Sequence, residues 1–375
     1  MAITIAIPKE LKEGENRVAM VPVVAKKLLK LGDNKIKIQH ELGSSIYLED
    51  SAYEGVESIK DAKDLYADAD LIIKIHAPTN KEIHYMREGS ILICMLYPHM
   101  NPKILHELCD KKITCFAMEM IPRISRAQPM DVLSTQATLI GYKAGIIAAN
   151  TTKFLFPMLA TGAGTMRPAK VLIIGIGVAG LQAIATVKRL GARVEAYDVR
   201  PETKEEAESL GAKFVDTGVK AVGEGGYARE LTLEEKQQQQ KVLEQHIAES
   251  DVVITTAGVP GRPAPKIISE AMVAKMKPGS VIIDTMAEMG GNCELTVIGE
   301  KNYNDVTIIG TENLPSSLTI NGSEMYAKNV LHFITPMFTK EGFKLDWQDE
   351  VIMGSAATHE GKVVHSAFKK LVGEN

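Results

Sequence analysis

The chain has 375 residues, more than one ordinary hydrophobic core organises, so two domains are expected. A formal net charge of -4, with 45% hydrophobic and 24% charged residues, is that of a globular protein and leaves no basic footprint for nucleic acid. Four cysteines, at 94, 109, 115 and 293, form no CxxC pair, so neither a metal site nor a disulfide framework is expected, and a reducing compartment is the simplest setting.

The N-terminus, MAITIAIPKELKEGENR, reads as a short strand followed by charged residues and lacks the pattern of a secretory signal. Short apolar strands are predicted at ITIAI (3–7), KIKIQ (35–39), LIIKI (71–75), SILICML (90–96) and ITCFAM (113–118). Helical stretches lie between them, at VPVVAKKLLKLG (21–32) and NPKILHELCDKK (101–112), ended by Gly32 and opened by Asn101-Pro102. Strands alternating with helices predict a parallel α/β architecture.

RISRAQPMDVLSTQ, residues 123–136, breaks this pattern. Two arginines, a proline and polar neighbours predict a polar loop up to Pro129 rather than the interior of a helix or strand. A longer helix should run from about Met130 to Lys153, capped by Asp131 or Ser134. Its small residues, Gly141, Ala144, Gly145, Ala148 and Ala149, suit close packing. The Gly- and Pro-rich stretch 157–170 then reads as a connection into a new unit.

That unit is predicted to contain strands KVLIIG (170–175), RVEAYD (193–198), AKFVD (212–216), VVIT (252–255), SVIID (280–284) and VTIIGT (306–311). GVKAVGEGGYARELT (218–232) should be an exposed, mobile loop, followed by a helix through EEKQQQQKVLEQHIAES. A last helix is expected around 323–334, in a C-terminal segment that returns to the first domain. The longest uncharged run, VLIIGIGVAGLQAIATV (171–187), approaches the length of a membrane span, but its glycines fit a nucleotide turn better. No transmembrane segment is expected, so work at a membrane would require a docking partner.

GIGVAG (175–180) matches GxGxxG, a weak pattern alone. Here it follows an apolar strand, opens the helix VAGLQAIATVKRLG, and is followed about twenty residues later by Asp198 at the tip of the next strand. Gly175 allows the tight turn, Gly177 lets backbone approach a pyrophosphate, and Gly180 lets helix and sheet pack closely; Ile176 and Val178 complete the turn. The helix N-terminus offers N–H groups and partial positive charge to the anion. Asp198 suits a ribose 2′-hydroxyl and repels a 2′-phosphate, which predicts NAD(H) over NADP(H). Arg200 either pairs with that acid, stacks near the adenine, or is a solvated surface arginine. TTAGVPGRPAPK (255–266) and DTMAEMGGNCE (284–294) follow two strands and should line one cleft, Gly258 allowing close approach to the cofactor. Cys293 reads as a packed thiol rather than a nucleophile.

IPRISRAQPMDVLS, GIGVAG followed by AYDVRPETKEE, the GGYARE loop, PGRPAPK and GGNCE together resemble the NAD(H)-binding component of proton-translocating nicotinamide nucleotide transhydrogenase, over nearly the whole length. The form resembled is the bacterial one in which the alpha subunit is split and this portion is a separate chain. The resemblance implies an α/β fold of two Rossmann-like domains with parallel sheets and an NAD-binding cleft between them. Residues 1–135 completed by 312–375 would form one domain, and 136–311 the NAD(H)-binding domain. It implies that Arg123, Gln128 and Asp131 hold the nicotinamide end of the nucleotide, with Ser134 one helical turn on and Ile124 and Ser125 also against the cofactor. Tyr227 would lie in a loop closing over the nucleotide. A glutamine of the 237–240 run, best matched by Gln239, would contact it. The family passes hydride between NADH and NADP+ held on another chain, so NADP(H)-binding and membrane-spanning partner subunits are implied, as are a homodimer and a cytoplasmic position attached to the inner membrane through those partners.

The rival reading is a free-standing amino-acid dehydrogenase of the alanine dehydrogenase type, which KEGENRVAMVP and LIIKIHAP also resemble. Arg17 and Lys74 sit where that enzyme binds its substrate. CMLYPHMNP, with Tyr97-Pro98-His99, departs from that enzyme's pattern after the fourth strand and leaves no assigned acid–base histidine. A third reading is an NAD(H) sensor with no chemistry.

Overall fold

A computed structural model of the chain describes residues 3–221, 229–259 and 261–373. The chain divides into two compact units, Met1–Gln136 with Ser316–Asn375, and Ala137–Pro315.

In the first unit, strands β1 (Thr4–Ile7), β2 (Lys35–Gln39), β3 (Glu57–Ile59), β4 (Leu71–His76), β5 (Ile91–Met95) and β6 (Thr114–Ala117) pair in parallel in the order β3-β2-β1-β4-β5-β6. Two antiparallel strands from the C-terminal segment, Ala356–His359 and Lys362–Val363, extend the β6 edge. Alternation along β4 sends Leu71, Ile73 and Ile75 to one core and Ile72 to the other. Both faces are covered, which explains the uninterrupted apolar runs of these strands. Helix Thr319–Ile334 lays Tyr326, Val330 and Phe333 into the larger of these two cores.

In the second unit the first strands form a two-stranded hairpin, β7 (Leu159–Thr161) and β8 (Gly164–Met166). The stretch read as a connection, 157–170, therefore holds an exposed hairpin and lies inside this unit. Its sheet comprises β9 (Lys170–Ile174), β10 (Arg193–Tyr197), β11 (Lys213–Phe214), β12 (Val252–Thr255), β13 (Val281–Asp284), β14 (Gly299–Tyr303) and β15 (Val306–Gly310), in the order β11-β10-β9-β12-β13-β15-β14. All pair in parallel except β14 with β15. In each unit the chain winds outward to one side of the central strand and then to the other. The order reverses between β1 and β4 in the first unit and between β9 and β12 in the second, and such reversals are where open α/β sheets bind ligands.

Helix Val132–Thr151 carries the boundary between the units. Asp131 caps it, its carboxylate accepting from the Ser134 backbone N–H (2.9 Å) and hydroxyl (2.6 Å). A Cβ on Gly141 would stand 2.0 Å from the Ala179 carbonyl oxygen, so the small residues of this helix do permit backbone contact with helix Val178–Arg189.

Candidate functional site

The glycine turn of the second unit follows β9. Gly175 has φ +93°, and a Cβ there would stand 2.7 Å from the Ala257 backbone nitrogen. A Cβ on Gly180 would stand 1.9 Å from the Gly175 carbonyl oxygen, so the helix lies directly on the turn. Gly177 differs from both: a Cβ there would meet nothing within 4 Å. Gly177 is also the N-cap of helix Val178–Arg189, and no side chain caps that helix. An open approach thus leads to unpaired first-turn N–H groups and the positive end of a helix dipole, which fits a pyrophosphate. Ile176 is buried under the turn and Val178 is exposed.

Asp198, just beyond β10, ties the turn to the next strand. Its carboxylate accepts from the Ile176 backbone N–H (2.7 Å) and from Arg200 at the backbone N (2.9 Å), Nε (3.0 Å) and Nη2 (2.8 Å). Arg200 also donates to the Ile176 carbonyl (2.9 Å). Of the readings open for Arg200, the structure selects pairing with the acid. Four donors fill the usual acceptor capacity of a carboxylate, so a ribose hydroxyl would compete with the guanidinium for Asp198.

The turns after β12 and β13 are held together from within. Thr256 Oγ1 donates to the Gly175 carbonyl (2.8 Å). Buried Asn292 donates to the carbonyls of Ala257 (2.7 Å) and Pro265 (2.9 Å). Asp284 accepts from the backbone N–H of Asn292 (2.7 Å), Cys293 (3.0 Å) and Met286 (3.0 Å). A Cβ on Gly258 would meet only the flexible end of Met286, 2.1 Å away, so nearby backbone does not demand glycine there. Cys293 is fully buried and burial pushes its thiol up, as suits a packed side chain. Gln239 is buried, its amide donating to the Tyr197 hydroxyl (2.8 Å). Tyr227 lies outside the described residues, as does the centre of the 218–232 loop.

In the first unit, the segment predicted as a polar loop is a 3₁₀ helix, Ser125–Met130. Ile124, Ala127 and Met130 recur every third residue and face the core. That is the 3₁₀ period, a signal the composition hid. Arg123, Ser125, Arg126 and Gln128 are less buried and lie on the other side. Asp131 and Ser134 are half-buried and bonded to each other at the helix start. The turn is braced by residues that local sequence does not reveal. Asn329 donates to the Pro129 carbonyl (2.8 Å), and Arg126 forms a paired contact with Asp349 (3.1 and 2.5 Å).

At the strand ends between β1 and β4 the first unit carries a buried ionic cluster. Lys74 donates to Glu82 (2.7 Å) and lies 3.7 Å from Glu10; Tyr66 also donates to Glu82 (2.7 Å). Arg17 donates to both oxygens of Glu15 (2.8 and 2.6 Å) and to Gln136 (2.7 Å), and His76 contacts Glu15 (2.6 Å). Burial opposes the charge on Glu15, but the hydrogen bonds from Arg17 and His76 outweigh it and hold the carboxyl well below its ordinary range. Both cations of the rival reading are thus matched by the chain's own carboxylates. His99 is half-buried against Tyr97, and burial lowers its basicity.

Residues 6–140 match the family model described as the alanine dehydrogenase/PNT N-terminal domain, and residues 144–366 match the C-terminal domain of the same family. The chain is 44% identical, over 97% of its length and 98% of the relative's, to the chain of Rhodospirillum rubrum named as the first portion of NAD(P) transhydrogenase subunit alpha. It is 26% identical, over 98% of its length and 95% of the relative's, to an alanine dehydrogenase of Methanococcus maripaludis. Among solved structures, the transhydrogenase from Sinorhizobium meliloti superposes with a TM-score of 0.85 at 39% identity, covering 97% of this chain and 99% of that one.

Proposed function

The chain belongs to the alanine dehydrogenase/PNT family, and on that premise we propose that it is the NAD(H)-binding component of a proton-translocating NAD(P) transhydrogenase. The observation that carries this reading is the 44% identity to a transhydrogenase alpha subunit over nearly the full length of both chains. The rival dehydrogenase reading has a weaker likeness, 26%, and would need Arg17 and Lys74 for a substrate while Glu15, Glu82 and Glu10 already neutralise them.

NADH supplies the hydride, and NADP+ on a partner subunit accepts it. The work left to this chain is binding, orientation and exclusion of water, and no general base is required. The open turn at Gly177 takes the pyrophosphate on the helix N–H groups. Asp198 takes the adenine-side ribose, displacing some of its contact with Arg200. Arg123, Gln128 and Asp131 hold the nicotinamide end, with Ile124, Ser125 and Ser134 beside them. A carboxamide and a ribose diol need donors and acceptors at fixed angles, which this set supplies. Tyr227, Gln239 and Gly258 complete the proposed contacts.

No helix among the described residues is long and apolar enough to cross a membrane. On the transhydrogenase reading, membrane-spanning partner subunits hold the chain at the inner membrane, on its cytoplasmic side. A homodimer is supported by the hairpin of β7 and β8, whose residues are all exposed, with Leu155, Met158, Leu159 and Met166 among the uncovered apolar side chains in and before it. A two-stranded hairpin is marginal alone, and such a patch asks for cover.

The test is reconstitution. The purified chain mixed with its NADP(H)-binding partner should transfer hydride from NADH to oxidised NADP. Alone it should neither do so nor reduce NAD+ with alanine. Gln128→Asn withdraws the amide by one methylene and should slow transfer roughly ten- to a hundredfold, with NADH affinity changed only several-fold. Alanine-dependent NADH formation that vanishes in Lys74→Ala would instead establish the dehydrogenase. NADH should bind much more tightly than NADPH, and Asp198→Ala should narrow that gap by about 1–3 kcal/mol.

A further inference from the structure

The 3₁₀ turn that presents Gln128 is fastened to a helix far away in sequence. Asn329, 3% exposed on helix Thr319–Ile334, donates through Nδ2 to the Pro129 carbonyl at 2.8 Å. A proline carbonyl can only accept, so this bond fixes the orientation of the amide. Oδ1 then faces Thr135, whose hydroxyl donates to it at 2.7 Å. Pro129 belongs to the 3₁₀ turn and Thr135 to the first turn of helix Val132–Thr151. One buried amide therefore joins the two elements on either side of Asp131, and both Gln128 and Asp131 leave the backbone at that junction. Beneath it, Ala127 and Met130 pack in the same core as Tyr326 and Val330, so apolar contact holds the turn down, while at the surface Arg126 ties it to Asp349. The directional bonds of Asn329 fix the buried side of the turn.

We propose that Asn329 is a positioning residue for hydride transfer: by bonding Pro129 and Thr135 at once, it sets the angle at which Gln128 and Asp131 meet the nicotinamide end. The proposal rests on the reading of this loop given above. A buried amide that served only stability would, when removed, lower stability without changing the transfer rate of the folded complex. A positioning amide must act through Gln128 and Asp131.

Four variants separate these roles: Asn329→Ala, Thr135→Val, Thr135→Ser and Gln128→Asn. In the nucleotide-free chain, hydrogen–deuterium exchange over residues 125–131 should rise in Asn329→Ala and Thr135→Val. Thr135→Ser, which keeps the hydroxyl, should match the parent chain. In the complex reconstituted with the NADP(H)-binding partner, Asn329→Ala and Thr135→Val should slow transfer about tenfold or more, with NADH affinity within several-fold. Thr135→Ser should restore the rate. Combining Asn329→Ala with Gln128→Asn should cost less than the product of the two separate losses, because the share of Asn329 that acts through Gln128 is already gone. Losses that multiply in the double variant, or an unchanged rate in Asn329→Ala, would overturn the proposal. If Asn329→Ala does not fold, Thr135→Val, nearly isosteric, decides by the same readouts. A Gln128→Asn variant of normal rate would instead overturn the reading of the loop itself.

Discussion

The two units of this chain wind their strands in the same order and differ at the place where such sheets take ligands. After β9 the second unit spends three glycines on a turn that leaves helix N–H groups open. After β1 the first unit sends a loop bearing Glu10, Glu15 and Arg17 across the end of β4. There Glu10 accepts from the Ile75 backbone N–H at 2.6 Å and lies 3.7 Å from Lys74. One switch point is built from backbone and left accessible, and the other is filled with side chains that satisfy one another. Topology thus supplies two equivalent positions, and local chemistry decides which is a binding site. The comparison can be broken from either side.

The largest effect is expected in the first unit. Lys74→Met removes the cation shared by Glu10 and Glu82 and strands two buried carboxylates. It should destabilise the chain by about 3–5 kcal/mol in urea or thermal unfolding while leaving NADH affinity within about twofold. A variant of normal stability that no longer bound NADH would mean that the cluster is a ligand site after all, and the contrast between the units would vanish.

How far the sequence reveals this contrast depends on what each site is made of. The glycine turn was legible because backbone conformation demands particular residues at fixed spacing, and Asp198 follows at a distance that the βαβ unit dictates. The core strands were legible because burial on both faces leaves continuous apolar runs. The 3₁₀ turn was visible as polar but not as helical, since Ile124, Ala127 and Met130 are thinly spread among charged and polar residues. Asn329 was invisible: its partner Pro129 is 200 residues away, and nothing local marks the pair. Asn292 stands between: the sequence predicts that the turns 255–266 and 284–294 line one cleft, but not the bond by which Asn292 braces Ala257 across 35 residues. The edge strands β3 and β14 carry no long apolar signal, because edges are half solvated. Directional polar contacts between distant segments form only after the fold exists, so no window of sequence contains them.

A smaller effect depends on pH. In the second unit Glu195 and Asp251 are buried, but hydrogen bonds from His246 and Lys170 to the one, and from Arg167, Lys170 and Lys277 to the other, outweigh burial and hold both carboxyls low. Their contribution to stability is present above the ordinary carboxylate range and is lost as pH falls. Glu119, after β6, behaves oppositely. Burial pushes its carboxyl up to about 7, against hydrogen bonds from the backbone of Tyr97 and Leu96. The folded state therefore holds a proton that the unfolded chain releases near 4.5, and stability falls as pH rises from there to about 7. Glu119→Gln cannot lose that proton. Relative to the parent, it should gain about 3 kcal/mol between about pH 4.5 and about pH 8, measured by urea unfolding. A constant difference across that range would show that Glu119 is charged throughout.

The smallest change in the folded chain should give the cleanest separation of structure from binding. Gly180 and Gly177 lie three residues apart in one turn, yet a Cβ on the first would stand 1.9 Å from the Gly175 carbonyl oxygen and a Cβ on the second would meet nothing within 4 Å. Gly177 has φ -90°, a conformation open to any residue. Gly180→Ala must push the helix off the turn and should cost about 3 kcal/mol of stability, with NADH binding lost as a consequence. Gly177→Ala asks for no movement and should leave stability within about 1 kcal/mol, the range of an altered N-cap. The space its methyl group enters is the space through which, in the function proposed, a pyrophosphate would reach the helix N–H groups. NADH affinity should therefore fall roughly tenfold or more, about 1.4 kcal/mol, in a fluorescence titration. Equal loss of stability in both variants would mean that Gly177 also serves packing. Full stability with full NADH affinity in Gly177→Ala would mean that the anion does not approach there, and the difference between the two switch points would need another explanation.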